Sequence, residues 1–324
     1  MIRFVHILLF LYISVNAIAQ ENELFISDKI ALEESRSFVL KSNFIESQNY
    51  SLTDFIYQRM EWQVDPAVRY ISGKVTTHFK SQTELLNTIE FDLSDSLTVD
   101  SVLIRNNTAT FTHQNNKLEV DLPESLLPDQ LDSVSVFYQG APPTSGFGSF
   151  ETSFHGSEFT PVLWTLSEPY GALEWWPCKQ SLADKIDSID VIATTPVKYK
   201  TASNGILVSE QLSDTTRTMH WEHRFPIATY LVAIAVTDYE RYSDYLETGN
   251  GDSIEILNYV YPEDLEDAKS KTPVTAEIMQ FYQNLVGDYP FAAEKYGHAQ
   301  FGWGGGMEHQ TMSFMGNFGF GLIA

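Results

Sequence analysis

Two carboxylates in unusual company are the residues best placed to do chemistry. Glu168 opens the segment Glu168-Pro169-Tyr170-Gly171-Ala172-Leu173-Glu174-Trp175-Trp176-Pro177-Cys178. Aromatic walls lower the local dielectric and sharpen the pull of a carboxylate on a cation. Glu308 stands in a second segment, Phe301-Gly302-Trp303-Gly304-Gly305-Gly306-Met307-Glu308-His309-Gln310. Glycines let a ligand approach main-chain N–H and C=O groups closely. An extended peptide can then pair with that backbone as an added strand, and Glu308 is placed to hold a positive group at its end. Each segment also has a plainer reading. Glu168 would cap a turn beside aromatics that belong to the core, and the glycine run would be a flexible turn. The run is not a phosphate loop, because no Lys-Ser or Lys-Thr follows it. It is not a dinucleotide fingerprint either, since the strand-to-helix context is missing.

The histidines offer little for a metal. His220-Trp221-Glu222-His223 lies in a strand-like run, where positions three apart point to opposite faces. His309 has no partner at ligand spacing, and no His-Glu-x-x-His occurs. No metal-ligating residues are expected in this chain.

These segments must be positioned by a largely β framework. Met60, Trp62 and Val64 alternate with polar residues, as do Ile71, Val75 and Phe79 beyond Asp65-Pro66, which predicts a hairpin with an apolar inner face. The pattern recurs at Ile89-Phe91-Leu93, Leu97-Val99, Leu118-Val120-Leu122 and Val134-Val136-Tyr138. Turn residues at Asn106-Asn107, Asn115-Asn116 and Pro123 separate the runs, so antiparallel sheets packed as a sandwich are expected. Residues 140–149 read as a long loop, and aromatics crowd the next stretch. Further strands are predicted over Ser188 to Ala193, Thr218 to Arg224 and Tyr230 to Val236. The composition shifts near Tyr239, with a strand over Ile254 to Val260 and helices over Pro262 to Lys269 and Pro273 to Val286. In the second helix Val274, Ile278, Phe281, Tyr282 and Leu285 form one apolar stripe, and Gly287 is a C-terminal cap.

The first residues read as a secretory signal. Arg3 precedes the apolar run Ile7 to Val15, and Ala17-Ile18-Ala19 gives a cleavage pattern before Gln20. The run is too short to span a bilayer comfortably, so a secreted or periplasmic protein without stable membrane insertion is expected. The expected organisation is a signal peptide (1–19), a polar and partly helical lead-in (20–49), a β-domain (50–240) and a mixed α/β region (241–324).

The composition agrees with this picture. The 324 residues include 20 Lys and Arg against 43 Asp and Glu, a formal net charge of −23. That charge disfavours nucleic acid and favours a cation-bearing ligand. The single cysteine, Cys178, excludes an intrachain disulfide framework and a Cys-rich zinc site.

In this order, after a β-rich start, the two segments resemble the aminopeptidase N family of zinc metallopeptidases. Gly305-Gly306-Met307-Glu308-His309 is similar to that family's Gly-x-Met-Glu-Asn motif. Trp176-Pro177-Cys178 resembles its Phe-Pro-Cys segment, with Glu168 upstream where the family has its other amine-binding Glu or Gln. The stretch from Tyr50 to Ser81 resembles its opening hairpin.

The resemblance implies an antiparallel β sandwich or saddle followed by the start of a thermolysin-like α+β catalytic domain. It implies that Glu168 and Glu308 bind the free α-ammonium of a peptide, and that Gly305, Gly306 and Met307 align its backbone. It also implies zinc in the intact enzyme, activating water to attack the first peptide carbonyl. Three departures stand out. His309 replaces the usual Asn, and Leu173-Glu174 replaces an Ala-Arg pair. The His-Glu-x-x-His expected soon after the second motif is not reached before Ala324. The expectation is therefore the N-terminal part of a secreted zinc aminopeptidase, with its metal ligands beyond Ala324. By itself it would hold no zinc and cleave nothing. Two alternatives remain: a secreted β-sandwich binding module, and a pseudo-enzyme that only captures peptide N-termini.

Overall fold

Strict alternation of apolar and polar residues builds the first hairpin. In the computed structural model, which describes residues 44–144, 149–248 and 251–324, strand Thr53–Asp65 pairs antiparallel with Val68–Ser81. Met60 lies opposite Val75 and Val64 opposite Ile71. All four are buried with Phe55, Trp62 and Phe79. Leu131–Gly140 and Leu97–Ile104 extend the sheet on one side. On the other, Ser188–Pro196 joins Thr53–Asp65 in parallel and carries Thr216–His223 and Ile206–Leu212. With Asn107–Thr108 at its end, this sheet has eight strands.

Two smaller sheets pack on it. Leu86–Asp92, Lys117–Leu126 and Phe111–Gln114 form one. Lys200–Ser203, Ile234–Thr237, Thr160–Thr165 and Phe150–His155 form the other. The Asn115-Asn116 turn has φ of 57° and 58° at its two residues, the primed geometry that matches strand twist. The shared core holds Ile89, Phe91, Leu118, Val120, Val134, Val136 and Tyr138. The fold is thus mainly β and antiparallel, as the patterning predicts.

The fourth sheet runs Glu240–Glu247, Ser253–Val260, Tyr296–Gln300, Ser313–Met315, Gly306–Met307. It mixes parallel and antiparallel pairs. Helices Leu265–Lys271 and Val274–Val286 connect its second and third strands. Gly287 ends the second helix with φ of 109°. Its apolar stripe does not face the sheet: Thr275 is buried, whereas Phe281, Tyr282 and Leu285 are exposed. Ala276 and Met279, on the opposite side, pack against Leu246 and Ile256.

Several expectations need correction. The strand predicted over Tyr230 to Val236 is a 3-10 turn, Thr229–Leu231, followed by a strand only at Ile234–Thr237. The Thr229 hydroxyl bonds the Lys179 carbonyl at 2.8 Å, so the chain folds under the 168–180 loop. Glu240–Glu247 has no clean alternation, and its strand is legible only from its partner. Phe154 and Phe159 are exposed. The signal peptide and most of the lead-in lie outside the described residues.

Candidate functional site

The segment that carries Glu168 is held by its aromatics, which sit in the core. Trp175 and Trp176 are fully buried and pack on Trp62. Trp175 Nε1 donates to Ser167 Oγ at 2.9 Å, and the Tyr138 hydroxyl donates to the Trp175 carbonyl at 2.9 Å. These rings anchor the loop instead of walling a pocket, which is the plainer of the two readings the sequence allows. Glu168 itself stands at the exposed start of the turn, joined to Pro169 by a cis peptide.

The glycine segment ends in an edge strand. Among the described residues, Gly306–Met307 pairs only with Ser313–Met315, Gly306 opposite Met315 and Met307 opposite Phe314. The Gly316 N–H donates to the Gly305 carbonyl at 2.8 Å. Antiparallel alternation then turns the N–H and C=O of Gly306 away from the partner, toward the open edge. Met307 sends its side chain into the main core, so the segment offers backbone outward. A Cβ on Gly305 would stand 2.5 Å from the far edge of the Trp303 indole, so a larger residue there would have to push that ring aside. Glu308 follows the strand and is exposed.

One side chain that the sequence did not single out connects the two carboxylates. Burial raises the pKa of the Tyr230 phenol, and the charges of Glu168 and then Glu308 raise it further. Both carboxylates therefore act on one half-buried hydroxyl, although they lie 140 positions apart in sequence. No local pattern marks Tyr230, because only the apposition of three distant segments gives it this place.

His309 is buried against Phe314, with ring centroids 4.4 Å apart. Neither ring nitrogen has a hydrogen-bond partner among the described residues. Burial pushes its pKa down to about 3, so it is a neutral packing group.

The two histidines of the His-Trp-Glu-His run do face apart. His220 Nε2 is 3.1 Å from Asp190 Oδ2, whereas His223 bonds Glu294 at 2.5 Å and Gln310 at 2.7 Å. Among the described residues, Asp190, His220 and Glu222 form a group able to offer three metal-ligating atoms. Arg224 already spans it, 2.7 Å from Asp190 and 2.9 Å from Glu222, and Arg59 reaches Asp190 at 3.3 Å. Burial raises the Asp190 pKa, but the Arg224 hydrogen bond and charge bring it below the ordinary value. A dication would have to displace two guanidiniums, so this group does not fit a zinc ion.

The chain matches the Peptidase M1 N-terminal domain over residues 46–231. No curated protein sequence matches it. Among solved structures it is similar to the M1 zinc metallopeptidase from Deinococcus radiodurans at 21% identity, with a TM-score of 0.67 and coverage of 81% of this chain and 60% of that one. A mutant of that enzyme bound to a Tyr-Ser-Ala substrate matches at 20% identity with the same TM-score and coverage. Native yeast LTA4 hydrolase matches at 18% identity and a TM-score of 0.65, covering 82% of this chain and 41% of that one. At these identities the likeness is one of fold, and the chain spans about 60% of the length of the bacterial structures. With the domain match extending over more than half of its residues, the chain belongs to the M1 family of zinc metallopeptidases.

Proposed function

We propose that this chain supplies the substrate-amine and substrate-backbone site of a secreted zinc aminopeptidase. The observation that carries the reading is the convergence of Glu168 and Glu308 on Tyr230 beside an open glycine edge strand. Both carboxylates act on the Tyr230 hydroxyl, so an ammonium held there would have two anionic partners. Gly306 would offer main-chain hydrogen bonds to an extended peptide, and the carboxylates would stop its α-ammonium at a fixed register. Related structures hold Tyr-Ser-Ala, L-tryptophan or L-arginine, ligands with a free α-amine, which supports the same reading.

Zinc belongs to the proposal for the whole enzyme, where it would supply an activated water. The described residues contain no fitting ligand set for it, and the part of this chain is to bind and align. Calorimetric titration of the 324-residue chain with Ala-Ala-Ala and with N-acetyl-Ala-Ala-Ala tests the reading. The free peptide should bind tighter, and Glu168→Gln or Glu308→Gln should each weaken it about tenfold or more, the worth of one hydrogen bond to a charged group. Equal affinity for the two peptides would defeat the proposal. Export belongs to the same proposal, and a mature N-terminus at Gln20 would support it. A boundary near residue 240 is likewise proposed, and limited proteolysis would map it.

A further inference from the structure

The turn that follows Glu308 is held by groups from remote parts of the chain. Asn204 is buried and commits its whole amide to main-chain partners. Its Nδ2 donates to the Gln310 carbonyl at 2.7 Å and to the Leu231 carbonyl at 3.0 Å, while its Oδ1 accepts from the Ala233 N–H at 2.9 Å. Leu231 ends the 3-10 turn that bears Tyr230. One side chain therefore ties the Tyr230 turn to a residue two positions past Glu308.

Thr311 completes the link. Its hydroxyl accepts from the Gly205 N–H at 2.8 Å, and its carbonyl accepts from Lys295 Nζ at 2.9 Å. Thr311 has φ of 67°, a left-handed conformation that a β-branched residue rarely takes. Such strain persists where the surroundings over-determine it, and it clusters at functional sites. Glycine would remove the strain but also the hydroxyl that bonds Gly205. Threonine here trades local comfort for a cross-link.

We infer that the Asn204–Thr311 clamp is a positioning device that fixes Glu308 against Glu168 and Tyr230, so that the site distinguishes a free peptide ammonium from an acylated nitrogen. The inference rests on the amine-binding reading above. Its members touch main chain, so they act through Glu308 and are positioning residues.

The test is the ratio of dissociation constants for N-acetyl-Ala-Ala-Ala and Ala-Ala-Ala, measured on the 324-residue chain beside its melting temperature. Thr311→Gly relieves the strain, so the melting temperature should stay within about 3 °C. The ratio should nevertheless fall about tenfold, the worth of one hydrogen bond to a charged group. Thr311→Ser keeps the hydroxyl and should keep the ratio. Asn204→Asp keeps the acceptor but loses both donors, and it should lower the ratio even if the glycine variant does not fold. An unchanged ratio in Thr311→Gly or Asn204→Asp overturns the inference while leaving the amine site intact. So does a serine variant as impaired as the glycine one. A wild-type ratio near one overturns the amine-binding reading and the clamp with it.

Discussion

The Gly316 N–H donates to the Gly305 carbonyl at 2.8 Å, and this bond closes the glycine loop onto the Ser313–Met315 strand. The approach is so close that a Cβ on Gly316 would overlap the Trp303 carbonyl and stand 2.7 Å from Gly304 Cα. Those are backbone atoms, which cannot swing aside as a side chain can. Gly316→Ala should cost about 2 kcal/mol or more and weaken amine-dependent peptide binding. A Cβ on Gly304 would meet no atom within 4 Å, so Gly304→Ala should change stability by no more than about 0.5 kcal/mol. Urea melts of the two variants check the contrast, and equal losses would contradict it.

Tyr230 gives a prediction about binding. Burial and the two carboxylates raise the pKa of its phenol above the ordinary value, so at neutral pH it stands beside them as a neutral donor. Tyr230→Phe removes one neutral hydrogen-bonding group and should weaken Ala-Ala-Ala binding by about 0.5–1.5 kcal/mol. The loss should be smaller than that from Glu168→Gln or Glu308→Gln. An effect larger than either would mean that the phenol, and not the carboxylate pair, dominates recognition.

The sequence carries the parts of this molecule that local periodicity dictates. The hairpin around Asp65, the strands at Ile89, Leu118 and Val134 and the helix ending at Gly287 each follow from spacing and turn residues. What it hides are choices made by distant partners. The 168–178 aromatics read either as pocket walls or as core, and it is the contacts of Trp175 with Trp62 and Tyr138 that decide for the core. The Phe281-Leu285 stripe looks like a buried face, yet Ala276 and Met279 make the contact with the sheet because small and flexible side chains let the helix approach closely. Tyr230, Asn204 and Thr311 have no signal within a window of a few residues. Their partners lie in other sheets or across the chain.

Two buried histidines predict an acid limit. Burial pushes the pKa of His298 down to about 4 and that of His309 down to about 3. An unfolded histidine titrates near 6.5, so below that pH the unfolded chain binds protons that the folded chain refuses. The stability they contribute is intact above about pH 6.5 and is lost as pH falls toward about 4 for His298 and about 3 for His309. Each contributes a slope of up to about 1.4 kcal/mol per pH unit in its window. Urea midpoints at several pH values, for the wild type and His309→Leu, separate this effect from the carboxylates. The variant should lose less stability between about pH 6 and 4, and parallel curves would rule the His309 contribution out.

Cys178 should be chemically silent in the native state. Its thiol is fully buried, and burial followed by the charge of Asp92 pushes its pKa well above the ordinary value. The thiolate is the reactive form. A thiol reagent at about pH 8 should therefore leave the folded chain unlabelled and modify one group per chain once urea unfolds it. Rapid native labelling would place Cys178 nearer the surface than the structure does.

Lys295 predicts a slope of the same sign at alkaline pH, a gain in stability as pH rises. Its Nζ is buried over the Trp221 ring at 5.5 Å and bonds the Thr311 carbonyl at 2.9 Å and the Ser203 carbonyl at 3.4 Å. Burial lowers its pKa to about 7, only partly opposed by Glu294 and Glu255. An unfolded lysine titrates near 10.4, so between about pH 7 and 10.4 the unfolded chain holds a proton that the folded chain has released. Rising pH makes that proton harder to supply, which penalises the unfolded state, so stability gains from this group across the window. Below about pH 7 both states are protonated and the desolvation penalty is fully present. Lys295→Met removes the titration, so the wild type should gain stability relative to the variant as pH rises from about 7 to 10, by up to about 1.4 kcal/mol per unit. The carbonyls it leaves behind cost the variant a constant amount, which shifts its curve without changing the slope. Urea melts in which the two curves run parallel would mean that the Lys295 ammonium is better solvated than its burial implies.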